Sequence, residues 1–132
     1  MTRKALAMAA IRVLVVDDNS VVRDALCHII QRSRDLDLVG EAADGVEAVQ
    51  KAGALAPDVI VMDVNMPRLD GLGATRQIAE QGSGGHVLML TMYPEMAKAA
   101  REAGASATIL KDCSAAELID AIRELGRSKV AD

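Results

Sequence analysis

Val59-Ile60-Val61-Met62-Asp63-Val64-Asn65-Met66-Pro67-Arg68-Leu69-Asp70-Gly71 decides how this chain is read. It is an apolar run of strand type that ends abruptly on a carboxylate, before a turn marked by Pro67 and Gly71. A β-branched run with no polar alternation is the pattern of a strand covered on both faces, as in a parallel sheet. In open parallel sheets, chemistry gathers beyond the carboxyl ends of the strands. Asp63 therefore stands where a buried strand delivers a side chain to solvent.

The flanking sequence repeats the motif. Ile11 to Val16 is a buried strand ending on Asp17-Asp18, and Ser20 is placed to cap a helix whose Val21, Val22, Ala25, Leu26, Ile29 and Ile30 share one face. Leu36 to Ala42 is a more polar second strand, and Asp44 with Glu47 opens a helix in the manner of a capping box. After Gly71 a weakly amphipathic helix runs from about Leu72 to Glu80 and closes at the flexible Gly82-Ser83-Gly84-Gly85. Val87 to Leu90 is a fourth strand ending on Thr91. Pro94 suits the first turn of a helix that stops at Gly104. Ala107 to Leu110 is a short fifth strand ending on Lys111. Ser114-Ala115-Ala116-Glu117 is a capping box for a last helix carrying Leu118, Ile119, Ile122 and Leu125, with Gly126 as its expected stop. Strands and helices alternating in this way predict an α/β fold: a doubly wound, five-stranded parallel sheet with five helices.

Composition narrows the function. A chain of 132 residues is one domain long. With one Tyr and no Phe or Trp, its core must be aliphatic. A net charge of −4 gives no reason for this segment itself to bind nucleic acid, which needs a concentrated basic face. Two widely spaced cysteines fit a reducing cytoplasm rather than a disulfide scaffold. No apolar run approaches the ~18 residues of a membrane span. Residues 1–10 read as a frayed leader, 11–126 as the domain, and Arg127 to Asp132 as the start of a linker or tail.

Four strand ends thus carry Asp17-Asp18, Asp63, Thr91 and Lys111. Three carboxylates in one cleft repel unless a cation shares them. Oxygen-only ligands suit a hard cation, and so few carboxylates, with room for water and phosphate, favour Mg²⁺ over a Ca²⁺ cage. Such an ion, a Lys and a Thr hydroxyl make a cradle for phosphoryl oxygens, and a remaining carboxylate can act as nucleophile.

Asp17-Asp18, Asp63 with its Met66 to Gly71 turn, Thr91 and Lys111 resemble, in this order, the active-site set of the response-regulator receiver domain of two-component signalling. The resemblance covers about residues 11–126 and implies the flavodoxin-like receiver topology. Leu90-Thr91-Met92-Tyr93 and Lys111-Asp112-Cys113-Ser114 are most like the transcriptional regulators that carry a C-terminal helix-turn-helix domain. The resemblance implies that Asp63 is the phosphoacceptor, Asp18 a direct Mg²⁺ ligand and Asp17 one acting through water. The Asn65 backbone carbonyl joins Asp63 in that ligand set. Thr91 and Lys111 receive the phosphoryl group, and Asn65 and Tyr93 sit where the family tunes its lifetime. It further implies a histidine kinase as donor, a possible receiver homodimer, and DNA contact only through a domain absent from this chain.

Two positions depart from the family. Thr108 stands where Tyr or Phe usually serves as a rotamer switch, with Tyr93 the only aromatic nearby, and Asp112 stands where many receivers have Pro. Cys27 reads as core filler, Cys113 as a passive loop residue, and His28 and His86 as solvent-facing. Met66, Met89, Met92 and Met96 read as packing material, and Asp70-Gly71 as turn chemistry. The alternatives are a stand-alone receiver acting by protein contact, a haloacid-dehalogenase-type phosphatase and a flavodoxin-like nucleotide module. The phosphatases resemble one another in a second Asp two residues after the nucleophile, where this chain has Asn65. No glycine-rich phosphate loop follows the first strand. No turnover enzyme is expected.

Overall fold

A computed structural model of the protein describes residues 10–82 and 85–131, with side chains through Arg127. Almost all of the expected leader, and the Ser83-Gly84 pair, lie outside the described residues. The strands are β1 (Ile11–Val16), β2 (Leu36–Ala42), β3 (Val59–Asp63), β4 (His86–Thr91) and β5 (Ala107–Leu110). The helices are α1 (Ser20–Gln31), α2 (Gly45–Leu55), α3 (Gly71–Gln81), α4 (Ala97–Ala103) and α5 (Ala115–Ala131), with a 3₁₀ turn at Pro94–Met96 before α4. All strand pairings are parallel, in the order β2-β1-β3-β4-β5. The fold class read from the alternating elements is the one observed.

Strand alternation divides the core into two layers. Val13 and Val15, Val59 and Val61, Leu88 and Leu90 face α1 and α5, where Leu26, Ile30, Leu118 and Ile122 meet them. Leu14 and Val16, Ile60 and Met62, Val87 and Met89 face the other way, onto Ala48, Ala52, Ala74, Ile78 and Ala100. Alanines on that second face let helices approach the sheet closely, so a core without Phe or Trp still fills its space.

The sheet order puts a switch point between β1 and β3. The chain leaves β1 toward β2 on one side and then returns to build β3, β4 and β5 on the other. Loops following β1 and β3 diverge there and leave a crevice at the carboxyl edge, the rule for ligand sites in open α/β sheets. β2, whose end carries no candidate site residue, is at the far edge.

Several local expectations need correction. Ser20 does not cap α1; Asn19 does, its side chain accepting from the Val21 and Val22 amides. The reason lies one turn earlier, where Asp17 Oδ1 accepts the Asn19 N–H at 2.9 Å and bends the chain before Ser20 is reached. The apolar face of α1 is narrower than its spacing suggests, because Val21 is exposed. Gly126 does not stop α5, which continues to Ala131. A Cβ there would stand 2.6 to 2.7 Å from three atoms of Ile11, so this glycine serves close packing, and the helix runs on through 127–131. His86 is half-buried, its Nδ1 2.8 Å from Ser106 Oγ, and Met92 is exposed rather than packed. Cys27 lies in the core, as expected.

Candidate functional site

Asp17 and Asp63 are delivered to the crevice by neighbouring strands whose residues below them are fully buried. Asp17 is itself 0% exposed, Asp63 4%, while Asp18 faces solvent. One carboxylate oxygen from each of Asp17, Asp18 and Asp63 lies within 4.8 Å of the other two. From the far side Lys111, just beyond β5, places Nζ 3.2 Å from Asp17 Oδ2 and 3.3 Å from Asp63 Oδ1. The Lys111 amide is fixed in turn by the Thr91 carbonyl at 2.8 Å.

The electrostatics follow from this crowding. Burial pushes the Asp63 carboxyl up from its ordinary value, and the Asp17 charge adds to that; the Lys111 ammonium and an Asn65 backbone hydrogen bond oppose without cancelling. Burial works against the Lys111 charge, yet the carboxylates of Asp63 and Asp17 outweigh it and raise its pKa. One ammonium faces three acids. Asp17 Oδ2 is buried and, apart from that ion pair, has no hydrogen-bond partner among the described residues. An orphaned buried carboxylate oxygen within an all-oxygen acidic cluster is the donor set a small hard cation requires, so these residues fit Mg²⁺.

The loop after β3 is held by contacts beyond the turn chemistry expected of Asp70-Gly71. Asp70 caps α3 by accepting the Gly73 amide at 2.8 Å. The Gly71 N–H donates to the Val64 carbonyl at 2.7 Å, and a Cβ on Gly71 would overlap the Asp63 carbonyl oxygen. A Cβ on Gly45 would likewise overlap the Leu69 carbonyl, so the loop rests directly on the start of α2. Arg68 takes a left-handed φ of 67° within it and reaches Asp44 at 3.7 Å. Asn65 is exposed beside Asp63.

Thr91 closes the β4 side, 4% exposed, with Oγ1 accepting the Tyr93 amide at 3.0 Å. Tyr93 and Met92 are more than half exposed. Thr108 is half-buried, further along the sheet than the acids, lining a cleft of about 250 Å³ with Thr91, Pro94, Ala97, Ile109 and Leu110. Cys113 packs against the α1–α5 core layer, and burial first, then Glu117 and Asp112, push its thiol up, which disfavours the reactive thiolate. Sequence reading missed Arg23, whose guanidinium donates to the Asp17 carbonyl at 2.7 Å.

Among known proteins, the family model described as "Response regulator receiver domain" matches residues 13–123. The chain is 40% identical over 121 residues to the transcriptional regulatory protein LiaR of Bacillus subtilis, covering 90% of this chain and 57% of that protein. It is also 40% identical over 121 residues to the response regulator protein VraR of Staphylococcus aureus, covering 90% and 58%. It spans a little over half the length of these relatives. The solved receiver domain of the putative response regulator NarL from Mycobacterium tuberculosis superposes with a TM-score of 0.86 at 28% identity, covering 89% of this chain and 97% of that one. The likeness to transcriptional regulators drawn from the strand-end motifs therefore holds, and the matches favour the receiver over the phosphatase reading.

Proposed function

The chain belongs to the response regulator receiver domain family of two-component signalling, and on that premise we propose that Asp63 accepts a phosphoryl group from a histidine kinase. The observation that carries this reading is the Lys111 ammonium standing between Asp63 and Asp17, with Asp18 completing the acidic cluster. In the transfer an Asp63 carboxylate oxygen forms a bond to phosphorus. The phosphorus–nitrogen bond of the phosphohistidine breaks, its electron pair returning to the imidazole. Mg²⁺, when bound by Asp18, Asp63, the Asn65 carbonyl and Asp17 through water, supplies neutralising charge for the carboxylates and the phosphoryl oxygens. The chain's own work is alignment: Lys111 pairs with one phosphoryl oxygen and the Thr91 hydroxyl donates to another. With Asn65 where a phosphatase would carry its second acid, the site takes up phosphate and loses it to water without acting as a turnover enzyme.

Signal output begins at Thr91. Its hydroxyl proton is directed at the Tyr93 carbonyl at 3.4 Å, and donating it to a phosphoryl oxygen gives up that bond. Capture of phosphate thus loosens the Met92-Tyr93 segment, and Thr108, with no ring to rotate, leaves the neighbouring cleft open to that rearrangement. Tyr93 and Asn65, flanking the phosphoryl position, tune its lifetime. The receiver is proposed to work in the cytoplasm, with a histidine kinase, a second receiver, and DNA reached through a domain outside this sequence as its partners. Among the described residues no helix is long and apolar enough to cross a membrane.

The test is incubation with acetyl phosphate and Mg²⁺, read by intact-protein mass. The expected product carries one base-labile phosphoryl group, requires Mg²⁺, and is absent from Asp63→Asn. Labelling of Asp63→Asn to the wild-type extent would overturn the assignment.

A further inference from the structure

We propose that Arg23 is a positioning residue for the cation site, acting through the backbone of Asp17; this rests on the phosphoacceptor reading above. Asp17 lies where β1 runs out of partners. Its amide still pairs with the Ala42 carbonyl at 3.1 Å, the last rung against β2. Its own carbonyl has gone past the end of that ladder, and the residue is wholly buried. A buried carbonyl must be paired or pay its desolvation. Arg23, one turn into α1, donates to it from a terminal guanidinium nitrogen at 2.7 Å, the short distance of a charge-assisted bond.

The rest of the guanidinium is held too. Its Nε lies 3.3 Å from Glu41 Oε1 on β2, and the Arg23 side chain is only 19% exposed. Asp17 is therefore gripped from three directions: its amide by Ala42, its carbonyl by Arg23, and its Oδ1 by the Asn19 amide. The one atom left over is Oδ2, which points at Lys111 within the acidic cluster. Fixing every other polar atom of Asp17 aims that oxygen, and sets the turn from which Asp18 projects.

A guanidinium near a cation site could also act by repulsion, which would weaken metal binding. Glu41 decides between the two effects. Its carboxylate neutralises Arg23 at contact distance, so the pair presents little net charge to the crevice, while the hydrogen bond to Asp17 is short-range and stays. Geometry should dominate, and losing it should weaken cation binding.

The experiment is a Mg²⁺ titration of the protein followed by backbone amide NMR shifts, with the dissociation constant read from Asp17, Asp18 and Asp63. Arg23→Ala should raise that constant roughly tenfold or more, the usual consequence of removing a group that orients a metal ligand. Arg23→Lys, which keeps a charged donor, should recover part of the loss, as a purely structural role would not require. Arg23→Gln, which keeps the packing stem with a shorter donor, gives the same direction if the alanine variant folds poorly. Arg23→Ala or Arg23→Gln binding Mg²⁺ as tightly as wild type, or more tightly, would overturn the positioning role alone. Wild-type protein showing no Mg²⁺ response at the three aspartates would overturn the phosphoacceptor reading and this inference with it.

Discussion

At the residue scale, Asp63 is a side chain whose charge costs the fold something. Its carboxyl is raised above its ordinary value of 3.8, chiefly by burial and then by Asp17. For an acid whose folded pKa is raised, the folded state holds its proton more tightly than the unfolded one. The penalty is absent below the ordinary value, where both states are protonated, and complete above the raised one. Asp63→Asn removes the charge and keeps the shape, so at neutral pH and without Mg²⁺ it should raise Tm. Acidification should erase the difference as wild-type Asp63 takes up its proton. Added Mg²⁺ should stabilise wild type more than the variant, since a ligand that binds only the native state raises stability by mass action. Thermal melts at neutral and acid pH, with and without the ion, check all three; a variant less stable than wild type at neutral pH would show that Lys111 more than compensates. That Asp63 is chemically special was legible from one apolar run ending on one acid. That it is raised rather than lowered was not, because burial, the chief cause, and the opposed charges of Asp17 and Lys111 act only once distant strands are packed together.

Among elements, α5 shows how a local rule is overruled by packing. Glycine in a helix interior costs about 1 kcal/mol relative to alanine, so propensity alone makes Gly126→Ala stabilising. The structure gives the opposite sign, because the new Cβ would press into the Cδ1, Cγ1 and Cγ2 atoms of Ile11, a core residue 6% exposed. Overpacking of this kind costs roughly 1–3 kcal/mol. Gly126→Ala should therefore lower the urea midpoint, and Ile11→Ala/Gly126→Ala should be less destabilised than the sum of the single changes, the sign of two residues sharing one space. Strict additivity would remove the packing explanation. The same element separates what sequence could show from what it could not. The Ser114–Glu117 capping box is reciprocal as its spacing predicts, with Glu117 N–H donating to Ser114 Oγ and Ser114 N–H to Glu117 Oε1. Capping boxes are closed by neighbours in sequence and can be read there. Gly126 answers to a strand more than a hundred residues earlier, so its role as a spacer looked like that of a helix stop. The α1 cap falls on Asn19 instead of Ser20 for a related reason: Asp17, a site residue, takes the Asn19 amide and shifts the cap by one position.

For the molecule as a whole, the alternating pattern gave away the parallel sheet, and the polar strand ends gave away which edge carries the chemistry. What ties the first half of the chain to the last helix could not be read, because it joins residues 88 positions apart. Asp35, between α1 and β2, accepts from Arg123 Nε at 2.7 Å and Nη2 at 3.1 Å, a bidentate bond that pins α5 to the sheet's opposite end from the acidic site. The Asp35 backbone carbonyl meanwhile accepts the Ile11 amide at 2.8 Å, so one residue braces both β1 and α5. The hydrogen bond from Arg123 holds the Asp35 carboxyl below its ordinary value of 3.8, although burial pulls the other way. For an acid lowered on folding, the stabilisation is present above the ordinary value and lost as pH falls through the lower, folded one. Wild type should then melt above Asp35→Asn by a constant margin from neutral pH to about pH 5, and the margin should close on further acidification. Asp35 is nearly half exposed, so the neutral-pH margin is small and should shrink in high salt. Scanning Tm against pH for both proteins at low and high ionic strength separates this brace from the Asp63 effect, because the two have opposite signs at neutral pH: Asp35→Asn lowers Tm there and Asp63→Asn raises it. A margin for Asp35→Asn that widened toward acid would mean that the fold gains nothing from the Arg123 pair and that α5 is held by its apolar face alone.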